Sequence, residues 1–303
     1  MTTFQSRIAT AGLAIAASIS VETACADQVE TGLYESPIVF DAGGRPSATV
    51  RLNDTADFLF AIDTAAQNST LGQDIVRALQ LQADPDQRAQ VHGTAGVTTL
   101  PMYPLTSLEF AGRRVEGGLY ISPVEAHDNS QIGHAGIVGQ DVFATGEIVF
   151  DFVNNTVAFG DGITIGRGPS ISANVMYGGF FLVDVTVNGM AATALIDTGA
   201  RESFANPAMM AALGVSADDA DIRVETEIMG VGQNSAQRLV GYKATVRIAG
   251  AERLAPLIFI DSPAFRSFNL TDQPAIVMGM DVLGQLPGFG LDYEGSTFFL
   301  VEG

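Results

Sequence analysis

Cysteine is almost missing from this chain. Cys25 is the single one in 303 residues, so no disulfide can hold the fold together. Histidine is scarce as well: His92, His127 and His134 lack the spacing of a metal site, and neither a metal nor any other cofactor is expected. Basic residues number 15 against 34 acidic ones, and the formal charge of −19 excludes the basic surface that nucleic acid binding needs. The same charge would repel an anionic membrane. There is no glycine loop with a lysine for phosphate, and Gly230-Val231-Gly232 lacks the strand-to-helix context of a nucleotide site. The absence of a G-x-S-x-G turn argues against a serine hydrolase. Only 16% of the residues are charged while 33 are glycine, which fits a β-rich fold with many turns better than a helical bundle.

Long apolar runs are equally rare. The one near the start, Ile8 to Ser20, follows Arg7 and precedes Ala24-Cys25-Ala26, the order of a signal peptide with an A-x-A cleavage site. Residues 1–26 are therefore expected to be removed after Ala26, which places the mature chain in the periplasm or outside the cell. Arg7 and Glu22 cancel, so its formal charge would still be −19. A lipid anchor on Cys25 is the weaker alternative, because Glu22 stands where a lipobox carries an aliphatic residue. No stable membrane insertion is expected after cleavage, since no other stretch is long and apolar enough to span a bilayer.

What the chain does contain is a repeat. Phe58-Leu59-Phe60-Ala61-Ile62-Asp63-Thr64-Ala65-Ala66 and Ala194-Leu195-Ile196-Asp197-Thr198-Gly199-Ala200 each drive an apolar strand into an Asp-Thr turn. Each is followed by a short helix, at Leu71 to Leu79 and from Asn206-Pro207 to Leu213. Glycine-bearing hairpins come next, at His92-Gly93-Thr94 and Gly230-Val231-Gly232. Then come Ile137-Val138-Gly139-Gln140-Asp141 and Ile276-Val277-Met278-Gly279-Met280-Asp281, and each half closes in a hairpin. Asp63 to Asp197 is 134 residues, Gly139 to Gly279 and Asp141 to Asp281 are 140, and Asp151 to Asp292 is 141. Order and spacing both persist, which gives an N-terminal lobe over 27–160, a linker over 161–172 and a C-terminal lobe over 173–303. With 47% hydrophobic residues, each half can bury a core of its own.

An aspartate at the end of an apolar strand is costly to bury unless something compensates it. If the two turns meet, their carboxyls form a pair that shares one proton and titrates in two separated steps. The ionised member can act as general base on a water, and the protonated member can donate to a carbonyl, which amounts to amide hydrolysis without a covalent intermediate. Thr64 and Thr198 suit the task of holding the turns rigid through backbone hydrogen bonds across the axis. Asp141 and Asp281 read as caps of the short helical stretches they precede.

The paired Asp-Thr turns, the downstream glycine hairpins and the apolar segments ending in Gly139 and Gly279 together resemble the aspartic proteases, particularly their retropepsin-like bacterial branch. The resemblance spans roughly Ser47 to Phe159 and Phe180 to Leu300. It implies an all-β bilobal fold with a central cleft, built as a single-chain tandem of two lobes and acting on extended peptides as an aspartic endopeptidase. By that resemblance Asp63 and Asp197 are catalytic, Thr64, Thr198 and Gly199 support them, and Gly139 and Gly279 pack beneath the turns as structural supports. His92, Gly93, Thr94, Gly230, Val231 and Gly232 would belong to hairpins closing over the substrate, without indicating which hairpin is the working flap. A monomer is expected.

The sequence departs from the family at Ala65, where glycine is usual. With a positive φ alanine would cost on the order of 1 kcal/mol, whereas with a negative φ its methyl can be accommodated. Arg201, close after Gly199, would lower an aspartate pKa if it faced the pair; the alternative is a solvated arginine at the loop exit. Two competing readings stay open: a peptide-binding protein of the same fold without catalysis, and an enzyme active only as a dimer through the Asp197 lobe.

Overall fold

The computed structural model describes residues 14–16, 32–93, 96–124, 135–228 and 235–302. The proposed cleavage site, Thr94, Gly230, Val231, Gly232, His127 and His134 lie outside them, as does the side chain of His92.

Each half begins with an antiparallel hairpin whose second strand leads to the Asp-Thr turn. Pro46–Leu52 pairs with Ala56–Ile62, and Phe180–Val187 pairs with Met190–Ile196. The apolar run before each aspartate is buried because a second strand lies alongside it in parallel: Gly136–Val138 beside Phe60 to Ile62, and Ala275–Met278 beside Thr193 to Ile196. A short strand then pairs antiparallel with each of these, Thr70–Gly72 in the first half and Phe204–Ala205 in the second. Continuous apolar sequence is what a strand covered on both faces requires.

Long hairpins complete each lobe. Asp84–Gly93, Gly96–Phe110 and Arg113–Val124 follow one another antiparallel in the first, and Arg223–Ile228, Ser235–Ile248 and Ala251–Ile260 do so in the second. The polar stretch around Asp84 to Asp86 forms the start of a strand, with a register shift between Asp84 and Arg88. Helices are few and short. Gln73–Ala78 buries Ile75 and Val76. Pro207–Ala212 is capped by Asn206, whose side chain accepts from the Met209 amide at 2.8 Å, with Pro207 opening the helix.

The closing hairpins of the two halves join in one antiparallel sheet, in the order Leu33–Pro37, Thr156–Gly160, Glu147–Asp151, Gly288–Asp292, Thr297–Val301 and Arg167–Met176. Its middle pair is Glu147–Asp151 against Gly288–Asp292, with Val149 opposite Gly290. These two residues are equivalents in the repeat, so the pseudo-two-fold axis runs between them. Phe150 and Phe289 stack there at 5.1 Å, and both are fully buried. Burying an aromatic of this size contributes about 2 to 3 kcal/mol before entropy is counted. Segment 161–172, expected as linker, carries the first residues of Arg167–Met176. That strand pairs with Thr297–Val301 and then with Phe180–Val187, so it ties the shared sheet to the second lobe.

Candidate active site

The two Asp-Thr turns meet at the pseudo-two-fold axis. Asp63 is 1% exposed and Asp197 0%. Each turn is fixed from below by its parallel neighbour, through Asp63 N–H to the Val138 carbonyl at 3.0 Å and Asp197 N–H to the Met278 carbonyl at 3.1 Å.

The threonines lock the halves together. Thr64 N–H donates to Thr198 Oγ1 at 3.0 Å, and Thr198 N–H donates to Thr64 Oγ1 at 3.1 Å. Each hydroxyl in turn donates to a carbonyl of the other strand, Thr64 Oγ1 to Ile196 at 3.0 Å and Thr198 Oγ1 to Ile62 at 2.6 Å. Both side chains are buried, so all four hydrogen bonds are shielded from water, and losing any one of them strands a buried polar group. The carboxyls are thus presented by a rigid floor.

Backbone amides hold one oxygen of each carboxyl. Asp63 Oδ1 accepts from Ala65 N–H at 2.8 Å, and Asp197 Oδ1 accepts from Gly199 and Ala200 N–H at 2.9 and 3.0 Å. The two carboxyls are close enough for each to bear on the other's ionisation, by charge and by hydrogen bonding. Asp197 Oδ2 is buried with no hydrogen-bond donor among the described residues. Burial pushes Asp63 up to about 6, against the pull of the Ala65 amide, the hydrogen bond with Asp197 and the positive charge of Arg45. Burial and then the charge of Asp63 raise Asp197 well above the ordinary carboxylate range, against its backbone amides. A pair so disposed takes one proton readily and resists losing it.

Gly199 is required by closeness and not by conformation. A Cβ on it would lie 2.1 Å from Asp63 Oδ2, and its φ lies outside the positive range. Ala65, its counterpart, also lacks a positive φ, so the conformational cost considered for alanine does not arise. Its methyl is fully buried in a cluster with Phe180, Leu195 and Ala200.

Gly139 and Gly279 lie directly under the turns. A Cβ on Gly139 would meet the Asn68 carbonyl carbon at 2.7 Å, and one on Gly279 the Ala200 oxygen at 2.8 Å. Their amides donate to Ser69 Oγ at 3.0 Å and Ser203 Oγ at 2.9 Å. These serines also donate to Asp141 Oδ1 and Asp281 Oδ1, at 2.8 and 2.5 Å. Here the structure corrects the expectation that Asp141 and Asp281 cap helices. The N-cap positions are Gly139 and Gly279, and the aspartates in the first turn reach across to the loops that leave the Asp-Thr turns. Burial pushes Asp141 up to about 6 and Asp281 upward as well, in each case against hydrogen bonds from its serine.

Other parts of the site escape a reading of the sequence. Gln140 is buried and donates from Nε2 to the Thr64 carbonyl at 2.7 Å; the second half has Met280 in its place. Ser69 and Ser203 each stand six residues after an aspartate, a regularity that alignment of the two halves displays. The guanidinium that lowers Asp63 belongs to Arg45, in the turn before the first strand of the lobe's opening hairpin, while Arg201 is half-buried at the loop exit. Gly93 ends one strand of its hairpin and pairs with Gly96. In the second lobe Ile228 pairs with Ser235 at the corresponding place. Among the described residues no group of His, Cys, Asp and Glu could hold a metal ion.

A sequence model of the aspartyl protease family matches this chain twice, over residues 48–142 and 183–282. The chain belongs to the aspartyl protease family. The two matches contain both Asp-Thr turns and both supporting glycines, one set in each lobe of this aspartyl protease. They bear out the retropepsin-like, all-β bilobal reading. A peptide is the substrate the family implies. No curated protein matches this aspartyl protease, and no helix among its described residues is long and apolar enough to cross a membrane.

Proposed function

We propose that the protein is an endopeptidase in which Asp63 and Asp197 act on one water. The observation that carries this reading is the pair of buried aspartates on two turns joined by the crossed Thr64 and Thr198 hydrogen bonds. A water held between the carboxyls loses a proton to the ionised one as its oxygen attacks the peptide carbonyl carbon. The protonated carboxyl gives its proton to the carbonyl oxygen, yielding a neutral tetrahedral diol. Collapse of the diol breaks the C–N bond, with a proton passing to the departing nitrogen and the pair regaining its single shared proton.

Substrate is taken in extended form, with the hairpins ending near Gly93 and Ile228 closing over it. Strand-like backbone hydrogen bonds then supply binding and the covered site excludes water. A single chain supplies both turns, which favours a working monomer over an enzyme active only as a dimer. The leader-like residues 1–26 support export, with the enzyme acting in the periplasm or outside the cell.

The test is to incubate the purified mature protein with a mixed peptide library from acid to neutral pH. Internal cleavage abolished by Asp197→Asn is the expected result. Absence of cleavage, or cleavage indifferent to that substitution, contradicts the proposal; peptide binding without cleavage would identify the non-catalytic alternative.

A further inference from the structure

The two aspartates sit in near-identical turns, but their neighbours across the strand differ. Two residues beyond the Ser47–Ala61 pair, the register sets Arg45 across from Asp63. Two residues beyond the Leu182–Leu195 pair, it sets Phe180 across from Asp197. The continued register thus brings a cation opposite one aspartate and an aromatic residue opposite the other.

Arg45 is only 4% exposed. It is ion-paired to Asp41, with Nη2 2.6 Å and Nε 2.7 Å from Oδ2. Asp41 Oδ1 accepts the amides of Gly43 and Arg45 at 2.7 and 2.9 Å, so the turn is folded around the carboxylate that holds the guanidinium. A buried ion pair is weak as a source of stability, because desolvation consumes most of its attraction. Its placement beside Asp63 gives it another use. On the opposite side, the turn that carries Asp197 includes Leu195 and Ala200 of a buried apolar cluster with Ala65 and Phe180, and its carboxyl is held by the Gly199 and Ala200 amides.

We infer that Arg45, held in place by Asp41, fixes the single negative charge of the pair on Asp63 and leaves the shared proton on Asp197. The inference rests on the aspartyl pair proposed above and adds a division of labour: Asp63 takes the proton of the water, and Asp197 donates to the substrate carbonyl. Arg45 is a positioning residue, since it acts through Asp63 and not on substrate. The charged groups that bear on Asp63 are Asp197 from the opposite turn and Arg45 from the neighbouring strand's leading turn. The parallel strand beneath Asp63 contributes the neutral Val138 carbonyl, and Asp41 faces Arg45 from its far side. The positive charge of Arg45 favours the ionised form of Asp63, whereas the leading influences on Asp197 are burial, the charge of Asp63 and two backbone amides, with no cation among them.

Two measurements on Arg45→Met, Arg45→Lys and the double variant Asp41→Asn with Arg45→Met test this. One is the pH profile of kcat/KM. The other is a carbon-13 titration of the aspartate carboxyls, assigned with Asp63→Asn and Asp197→Asn. Loss of the cation should move the acidic limb of the profile, and the Asp63 carboxyl with it, upward by about one pH unit. Activity measured below that limb then falls roughly tenfold more than activity measured above it. Lysine should restore the wild-type limb, and Arg51→Met, at the exposed Arg51–Asp57 pair further along the same hairpin, should leave it in place. Should Asp41 without its partner prevent folding of the single variant, the double variant has no buried unpaired charge and gives the same comparison. An unshifted limb and an unshifted Asp63 titration in the methionine variants overturn the inference, as does an equal shift in Arg51→Met. If the wild type cleaves no peptide, the endopeptidase reading fails, while the carboxyl titration still decides where the charge resides.

Discussion

Gly199 packs against the Asp63 carboxyl so closely that a methyl group on it would lie 2.1 Å from Oδ2 and 2.3 Å from Cγ. Its counterpart Ala65 carries that methyl in the other turn without a positive φ and without exposure. The corner that tolerates a side chain and the corner that does not are thus on opposite sides of one pair.

Gly199→Ala must displace the Asp63 carboxyl, because the obstacle is a carboxylate already fixed by the Ala65 amide. A displacement on the order of 1 Å in a catalytic group costs about 100-fold, and we expect kcat/KM for peptide cleavage to fall by at least that much. Ala65→Gly should keep activity within a few-fold of wild type while lowering the melting temperature, since it frees the unfolded chain and deletes a buried methyl. Steady-state kinetics and thermal melts of the two variants decide this; wild-type activity in Gly199→Ala would refute the packing argument.

Thr198→Val keeps the shape of the side chain but removes both of its hydrogen bonds. The Thr64 amide and the Ile62 carbonyl are then left buried without that partner. At about 1 to 3 kcal/mol for each of the two stranded groups, the loss should reach roughly 2 to 6 kcal/mol in chemical denaturation. Because the threonines act as a unit, adding Thr64→Val should cost less than its separate effect. Strict additivity would mean that the crossed hydrogen bonds are independent.

Stability should fall as pH rises from about 4 to 7. Asp63 and Asp141 are raised to about 6, and Asp197 and Asp281 are raised as well, chiefly by burial. The folded chain therefore holds protons that the unfolded chain has already lost above 3.8. Their stabilising contribution is complete below that value and is lost as pH climbs through the folded values. A tenfold difference in proton affinity between the folded and unfolded chain corresponds to about 1.4 kcal/mol. Melting temperatures across this interval should decline, and Asp141→Asn should flatten the decline; a rise in melting temperature toward neutral pH contradicts the account.

How much of the site is legible in the sequence depends on whether a residue's role is local. Asp63, Asp197 and their threonines announce themselves, because each ends an apolar strand whose burial makes a carboxylate costly, and the arrangement occurs twice. Gly139 and Gly279 recur in the repeat as well, but their place beneath the turns is what the resemblance to the aspartic proteases implies. Arg45 is not: in sequence, Asp41 to Pro46 is a polar turn, and only the register of the following strand sets it across from Asp63. Phe180 is equally silent, being one of many aromatics at strand starts. Asp141 and Asp281 pass for caps because their partners, Ser69 and Ser203, are more than 70 residues away in the chain. Local pattern sees the strand and the turn, while partners across a sheet appear only when the chain is folded.

The measurement that bears most directly on the central claim is peptide cleavage by Asp63→Asn, the substitution in the turn that departs from the family at Ala65. Asparagine preserves the size of the side chain but abolishes its function as a base, so circular dichroism and sedimentation should match the wild type. The account predicts that kcat/KM falls by a factor of about 1,000 or more, as loss of a catalytic base requires. Retention of most of the activity in a correctly folded Asp63→Asn protein would contradict it and place the chemistry on the Asp197 turn alone.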